Sequence, residues 1–445
     1  MSAFVWAALA AVVLLLVYLI ARHATNDTSR TVRVLARGGA LAAVGVAFAA
    51  MMLFSPTLNR LHDSQVSSPI EDQIRHATQD EAAQSVRRKA ADADRLTASG
   101  ETGPTDWQVV PVFYGTDREV QAGGTRLQYN SERGRRLELG RAMVTVPKIH
   151  AIPNIERPWV VKIPYFDVTI YEQAEDPAKH FTVQDIRKLS EADFLDMVRR
   201  RIAASDRYRD HALVFVHGYN TSFDHAIYRT AQIAYDLKFD GAAFLYSWPS
   251  GGAVASYTYD RESAQASEPY MRRFLELVVK ETGAKSVSII AHSMGNQPLL
   301  DVLKDMRSGG PGEVTINEVI LAAPDVDADN FANVAQRIEG ISRGVTLYAA
   351  ANDRALIVSR SFWRNPRAGD VPPTGPLIVP GVETIDITAV STDSFSLNHS
   401  GYAENNDLLQ DIGKLILSGL RPPEERLPAL RRTPSPKGDY WRYTP

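Results

Sequence analysis

The sequence predicts an α/β fold in which a mostly parallel β-sheet is flanked by helices. From about residue 212, short apolar segments rich in β-branched residues alternate with longer amphipathic segments. The apolar segments are continuous, as expected for parallel strands that are buried on both faces. One of them runs directly into a turn of small residues around Ser293 and then into a helix. These three observations favour a single α/β domain, which we place at residues 105–420.

The individual elements follow from the same patterns. Strands are predicted at 109–114, 142–146, 160–171, 212–216, 242–246, 287–291, 319–322, 345–349 and 384–390, the last of the sheet. Helices are predicted around 191–204, at 224–237, within 262–281, from about residue 294, and at 406–417.

The first 56 residues differ in composition from the rest. Residues 3–21 and 38–55 are apolar and uncharged, and each is close to the roughly 20 residues that a membrane-spanning helix needs. The loop between them holds four arginines against one aspartate, which places it in the cytoplasm by the positive-inside rule. We therefore predict a transmembrane hairpin, with everything after residue 56 on the outer side. A signal peptide followed by a buried helix is the alternative.

Two segments flank the predicted domain. Residues 57–104 are polar and compatible with a helical linker, and residues 421–445 are rich in proline and arginine, which is typical of a disordered tail. The chain has no cysteine, which excludes disulfides and thiolate chemistry. A formal net charge of -3 argues against nucleic-acid binding.

The turn at Ser293 is the strongest functional signal. The serine follows a buried strand and precedes a helix, with small residues, Ala291 and Gly295, two positions away on each side. This is the pattern of a nucleophile elbow with alanine in place of the first glycine of G-x-S-x-G, and it indicates the α/β-hydrolase fold. The helix that follows directs its positive end toward a developing oxyanion.

A serine nucleophile needs a base and an acid that orients the base, in the order serine, acid, histidine in this fold. The sequence has one histidine after the serine, His399, which we predict to be the base. Asp353 follows the strand at which the acid usually stands, and we prefer it to Asp325. Asp325 would otherwise cap the next helix, a position for which Asp327 competes.

The oxyanion hole requires two backbone N–H groups. We predict the first from Met294 and the second from Tyr219, with Asn220 as the alternative. Gly218 lets the backbone come close to the substrate. His217 precedes the serine at the end of a buried strand, so we expect it to shape this loop through a hydrogen bond rather than to act as the base.

Other residues are candidates for the substrate pocket. They are His217, Gly218, Asn220, Trp248 and His292. Trp248 fits a pocket wall and an ordinary buried tryptophan equally well. The sequence contains no metal-ligand cluster, phosphate-binding glycine loop or dinucleotide fingerprint, so we expect no cofactor.

With these motifs in place, the sequence resembles a bacterial α/β-hydrolase family of unknown function, number 900, in the esterase/lipase superfamily. The resemblance spans roughly residues 107–420. The segments that carry it are FYGTDR (113–118), HGYNT (217–221), SWPS (247–250), AHSMGN (291–296), APDVD (323–327) and NDRA (352–355). It implies a hydrolase fold with a Ser-Asp-His triad, here Ser293, Asp353 and His399, and leaves the substrate open.

Together these inferences predict a membrane-anchored serine hydrolase, carboxylesterase- or lipase-like (EC 3.1.1), acting on a small-molecule or lipid ester. We expect it in the bacterial inner membrane, with the catalytic domain in the periplasm. Two alternatives remain at this point: an amidase or peptidase with the same triad, and a non-catalytic, membrane-tethered binding module of hydrolase fold.

Overall fold

A computed structural model of the chain describes residues 106–123, 126–152, 154–158, 160–162, 169–252, 256–308, 316–351, 356, 359, 365–390 and 406–445. The predicted hairpin at 1–56 and the linker at 57–104 lie outside these residues. Within the described ranges, no helix combines the length and the apolar character that a bilayer span requires.

The strands that the structure describes form one large sheet and one small one. In chain order they are β1 Trp107–Val120, β2 Tyr129–Pro147, β3 Val160–Lys162, β4 Thr169–Glu172, β5 Thr182–Leu189, β6 His211–Val216, β7 Ala242–Ser247, β8 Ser286–His292, β9 Ile316–Ala322, β10 Ser342–Ala349, β11 Val382–Asp386, β12 Leu430–Ser435 and β13 Gly438–Tyr443. The large sheet has the order β5-β2-β1-β7-β6-β8-β9-β10-β11-β13-β12, and β3 pairs with β4 in the small one. In this spatial order, every neighbouring pair between β1 and β13 is parallel. The strands at the two ends of the sheet, β2 and β5 at one end and β12 at the other, are antiparallel to their neighbours.

The helices of the described residues cover both faces of this sheet. They are α1 Glu191–Ala203, α2 Phe223–Asp236, α3 Tyr257–Ala266, α4 Glu268–Glu281, α5 Asn296–Ser308, α6 Ala328–Arg337, α7 Asn406–Ser418 and α8 Pro423–Arg426, with a 3-10 turn at Ser293–Gly295. Val214 and Val216 of β6 belong to the core that includes α1, α4, α5 and α6. Phe215, between them, belongs to the core on the other face with α2 and α7. The prediction of a mostly parallel sheet flanked by helices is therefore confirmed.

Some predicted elements have different bounds for identifiable physical reasons. The predicted helix within 262–281 is the pair α3 and α4, which meet at Ser267 with a proline in the first turn of α4. A proline is tolerated in a first turn but cannot continue a preceding helix. The predicted strand at 160–171 is the hairpin of β3 and β4.

The prediction of a disordered tail at 421–445 is wrong. This segment forms α8, β12 and β13, and β13 pairs in parallel with β11, so residues 384–390 are not the last strand. The folded region continues past residue 420 to the end of the chain. Its arginines neutralise buried carboxylates, since Arg421 pairs with Glu318 at 2.6 Å and Arg426 with Asp411 at 2.8 Å. The composition resembles that of disordered segments, but the charges are used inside the fold.

The loops that carry the predicted site residues meet at one edge of the sheet. Since β6 to β10 are parallel, the segments that follow β6, β8 and β9 all begin at this carboxyl edge. Each of these loops contains a non-glycine residue with positive φ: Asn220, Ser293 and Ala323. Three of the five non-glycine residues with positive φ in the described chain therefore lie in loops at this edge, while Asp210 and Lys238 precede β6 and β7 at the opposite edge.

Candidate active site

Ser293 lies in the strained turn that the sequence pattern predicts. Its φ is +52°, and it begins a 3-10 turn directly after β8 and before α5. Its side chain lies within the protein, with a relative exposure of 1%. A non-glycine residue with positive φ costs about 1–3 kcal/mol and persists only where its surroundings impose it.

Hydrogen bonds from two residues hold the Ser293 backbone in this conformation. Its carbonyl oxygen accepts from the Asn296 side-chain amide at 2.8 Å and from the Asp325 backbone N–H at 3.2 Å. Asn296 is fully buried. The turn is therefore anchored both to the helix that follows it and to the loop after β9.

Close packing explains the small residues around Ser293. A Cβ on Gly295 would collide with the carbonyl oxygen of His217. A Cβ on Gly218 would lie 2.9 Å from Ser293 Cβ and 3.0 Å from His292 Nδ1. The loop after β6 and the turn after β8 therefore touch backbone to backbone.

The two predicted oxyanion donors lie in these touching segments. Met294 is in the first turn after β8, where backbone N–H groups have no partner within the helix. Tyr219 follows Gly218 and is half-buried. The alternative donor, Asn220, has its N–H bonded to Asp260 Oδ2 at 3.0 Å. The Asn220 N–H therefore already has an acceptor and does not face an oxyanion in this structure.

His217 makes contacts of a structural kind. Its Nδ1 lies 2.7 Å from the Gly218 carbonyl oxygen, so Nδ1 carries the proton, and Nε2 faces Ser247 Oγ at 3.2 Å and Arg118 at 3.4 Å. Burial and the neighbouring Arg118 lower the pKa of His217 to about 3. The ring is therefore neutral at physiological pH and has no free lone pair with which to serve Ser293.

Trp248 supports the same loop from behind. Its ring stacks on His217 with a centroid distance of 4.9 Å, and its Nε1 donates to the His217 carbonyl at 2.8 Å. The side chain has no exposed surface. Of the two interpretations of Trp248, a pocket wall or an ordinary buried tryptophan, these contacts favour the buried tryptophan.

The predicted acid and base belong to the segments that follow β10 and β11. Asp353 and His399 lie outside the described residues. The described chain shows where their loops begin: β10 ends at Ala349 and β11 at Asp386, both at the carboxyl edge that also carries Ser293. The loops that contain them thus start on the correct side of the sheet.

The alternative acid, Asp325, is buried next to the Ser293 turn. Its carboxylate accepts from Tyr257 Oη at 2.6 Å and from Ser359 Oγ at 2.7 Å, and it pairs with Arg367 Nε at 3.0 Å. It does not cap a helix, because Asp327 caps α6 through the N–H groups of its first turn. Asp325 joins the loop after β9 to α3, and its carboxylate already faces three donors.

Two further buried charges organise the site, and neither is among the site residues predicted from the sequence. Arg118 donates to Ser247 Oγ and to the carbonyl oxygens of Thr221 and Ser250, and burial lowers its pKa to about 10. Asp260 accepts hydrogen bonds from the same two loops. Arg118 is within the FYGTDR segment of the family resemblance, whereas no local pattern marks Asp260.

Within the described ranges, no group of three or more histidines, aspartates or glutamates could hold a metal ion. The arrangement on the carboxyl edge is that of a buried serine in a strained turn, two converging backbone segments with N–H donors, and buried charges behind them. This geometry suits nucleophilic attack on a carbonyl group and stabilisation of the resulting oxyanion.

Comparison with known proteins identifies the family. The model of the family described as "Alpha/beta hydrolase of unknown function (DUF900)" matches residues 190–418, and the chain belongs to this family. A solved structure described as "Pyrobaculum calidifontis esterase monoclinic form" is similar, with 11% sequence identity, coverage of 80% of this chain and 86% of that chain, and a TM-score of 0.23. No curated protein matches the chain.

Proposed function

We propose that this α/β hydrolase is a serine hydrolase of the carboxylesterase or lipase type, which cleaves an ester through an acyl-serine intermediate. The observation that carries the proposal is Ser293 itself. It is held at positive φ between a buried strand and a helix, against the glycine of the loop that would supply the second oxyanion donor. A serine needs no such strained turn for packing alone.

The proposed reaction has two steps. His399 takes the proton of Ser293 as Oγ attacks the ester carbonyl carbon, and Asp353 orients His399 and stabilises its cation. The carbonyl oxygen becomes an anion, which the N–H groups of Met294 and Tyr219 bind. The intermediate expels the alcohol, which receives the proton from His399, and water activated by His399 then hydrolyses the acyl-serine.

Replacement of the nucleophile is the first test. We expect Ser293→Ala to lower kcat on p-nitrophenyl esters by about 10³-fold or more, and to abolish labelling by a fluorophosphonate probe. Ser286→Ala, at the opposite end of the same strand, is the matched control and should retain both signals. Full activity in the Ser293 variant would contradict the assignment.

The same assay decides between the candidate acids. Asp353→Asn should lower kcat strongly, because the orienting partner of the base is lost. Asp325→Asn should mainly lower the melting temperature, since it disturbs a carboxylate that already pairs with Arg367. If Asp325→Asn loses more kcat than Asp353→Asn, Asp325 is the acid of the triad.

Substrate screens separate the remaining functions. Esters with acyl chains from acetyl to palmitoyl test a lipid preference, and matched anilides test an amidase. A folded protein that hydrolyses none of these and never reacts with the fluorophosphonate would instead be a binding module.

We also propose that the two apolar runs at 3–21 and 38–55 anchor the enzyme in the bacterial inner membrane with its catalytic domain in the periplasm. The support is the run lengths and the arginine-rich loop between them. A reporter enzyme that works only outside the cytoplasm should be active when it is fused after residue 445. If only a reporter that works in the cytoplasm is active, the orientation is the opposite of the one proposed.

A further inference from the structure

We infer that Asp260 of α3 is a positioning residue that makes Tyr219, rather than Asn220, the second oxyanion donor. The inference rests on the proposed serine hydrolase function and adds to it the residue that sets the shape of the oxyanion loop. Asp260 does not contact the nucleophile. It acts through the loop that follows β6.

Asp260 joins two loops of the carboxyl edge. Its side chain is fully buried and accepts hydrogen bonds from Asn220 N at 3.0 Å, Ser250 Oγ at 2.6 Å and Gly251 N at 2.6 Å. Asn220 belongs to the loop after β6, whereas the other two donors belong to the loop after β7. One carboxylate therefore determines how these loops lie relative to each other.

The Ser250 hydroxyl extends this network to the next residue of the oxyanion loop. It donates its one proton to Asp260 and accepts from the Thr221 N–H at 3.0 Å. The N–H groups of Asn220 and Thr221 are thus both turned toward Asp260. Among the described residues, none accepts a hydrogen bond from the Tyr219 N–H, so this is the loop donor that remains for an oxyanion.

The conformation of Asn220 is part of the same arrangement. Its φ is +54°, so the chain reverses there and successive N–H groups can point in different directions. Asparagine tolerates this region better than most residues. Without an acceptor at Asp260, the Asn220 N–H would lose the hydrogen bond that keeps it turned away from the site.

Arg118 complements Asp260 from the other side of the loop. It donates to the carbonyl oxygens of Thr221 at 2.7 Å and Ser250 at 3.1 Å, while the carboxylate takes the N–H groups. Tyr257, one turn before Asp260 on α3, packs its ring against Tyr219 at a centroid distance of 5.5 Å. Helix α3 therefore contacts the oxyanion loop through two side chains, the Asp260 carboxylate and the Tyr257 ring.

Replacement of Asp260 by asparagine should affect the transition state more than the substrate complex. The amide NH₂ would face N–H donors and could no longer accept from all three. We expect kcat on p-nitrophenyl acetate to fall at least about tenfold, toward the 10²–10³-fold loss seen when an oxyanion donor is removed, with little change in KM. Inhibition by an aryl trifluoromethyl ketone, whose adduct with Ser293 carries an oxyanion, should weaken in parallel.

Asp411→Asn in the full-length protein is the matched control. Asp411 is an equally buried carboxylate, on α7, which bonds to Tyr348 and Arg426 and not to the site loops. Both variants should lower the melting temperature, but only Asp260→Asn should lower kcat and weaken inhibition by the trifluoromethyl ketone. Equal melting shifts with unchanged kcat in both variants would overturn the inference.

A milder variant covers the case in which Asp260→Asn does not fold. Ser250→Ala removes the relay to Thr221 and keeps the carboxylate, and we expect a severalfold loss of kcat with KM unchanged. If Ser250→Ala and Asp260→Glu, which moves the carboxylate relative to the Asn220 N–H, both fold and retain full kcat and ketone affinity, Asp260 has no positioning role. A wild-type protein that neither labels at Ser293 nor hydrolyses any ester would instead contradict the proposed function.

Discussion

Ser293, Asn220 and Ala323 carry backbone strain within three loops of one sheet edge. At Ser293 the strain is supported by hydrogen bonds from Asn296 and Asp325 to its own carbonyl oxygen. At Asn220 the supporting group is the Asp260 carboxylate. Since Ser293 and Asn220 are held in these conformations by buried polar side chains, substitutions of those side chains should affect activity before they affect the rest of the fold.

At this scale the sharpest prediction concerns Gly295. Gly295→Ala would place a methyl group against the His217 carbonyl oxygen, so the turn or the oxyanion loop must shift. We expect a loss of kcat of about 10²-fold, because displacement of catalytic groups by about 1 Å has effects of that size. Ester hydrolysis and thermal melting would measure it.

Gly413→Ala provides the comparison. Gly413 lies within α7, and a Cβ there would meet its nearest neighbour at 3.4 Å. Alanine is favoured over glycine in a helix by up to about 1 kcal/mol, so this variant should keep its activity and its stability. Comparable activity in the two variants would show that Gly295 is not required for close approach.

At the scale of elements, His150 connects the loop after β2 to the end of α2. Nδ1 lies 2.8 Å from Glu156 Oε2 and Nε2 lies 2.9 Å from Asp236 Oδ1, with the rings of Phe181 and Tyr235 packed around the imidazole. Burial opposes protonation, but the hydrogen bonds to Asp236 and Glu156 outweigh it and raise the pKa of His150.

The stability of the protein should therefore depend on pH through His150. Because the folded state binds this proton more tightly than the unfolded state, the contribution is complete below about pH 6.5 and is lost as the pH rises through the higher folded pKa. Urea unfolding on both sides of this window should show the decrease in wild type and not in His150→Gln. His211→Gln, whose ring contacts a backbone carbonyl, should leave the decrease unchanged.

At the scale of the whole molecule, the carboxyl-terminal segment completes the large sheet. Arg426 is fully buried and bonds to Asp411 at 2.8 Å, to Glu383 at 3.3 Å and to the Leu420 carbonyl at 2.7 Å. Arg426→Met should lower the free energy of unfolding by about 3–5 kcal/mol, because Asp411 is left buried without its cation. Urea denaturation measures the change.

Two companion variants identify the cause. Arg432→Met breaks an exposed pair with Asp439 in the same segment and should cost less than about 1 kcal/mol. Arg426→Met combined with Asp411→Leu should recover much of the loss, since no unpaired charge remains. If the double variant is as unstable as the single one, the effect lies in packing and not in charge.

The parts of the fold that could be predicted from sequence are those with local signals. The central strands are continuous apolar runs because they are buried on both faces, and the Ser293 turn is a contiguous motif. Strand β5 was missed because it is an edge strand that carries Asp185, Arg187 and Lys188, and charges are common at edges.

The parts that could not be predicted depend on contacts between distant segments. The hydrogen bond from Asn220 to Asp260 joins residues 40 positions apart, and that from Arg118 to Thr221 joins residues 103 apart. Neither residue type nor spacing indicates such a partner in one sequence. The carboxyl-terminal strands were missed for the same reason, since Arg421 and Arg426 pair with carboxylates of other elements.

The direction of the chain has a practical consequence. Strand β1 runs parallel to β7, so Trp107 lies at the edge of the sheet opposite Ser293, whereas β13 runs parallel to β11 and ends at the edge that carries the nucleophile. Between β8 and β13 there are four strand spacings, or about 19 Å. A fluorophore attached after Pro445 would therefore lie at the edge of the sheet that carries Ser293, whereas β1 begins at the opposite edge.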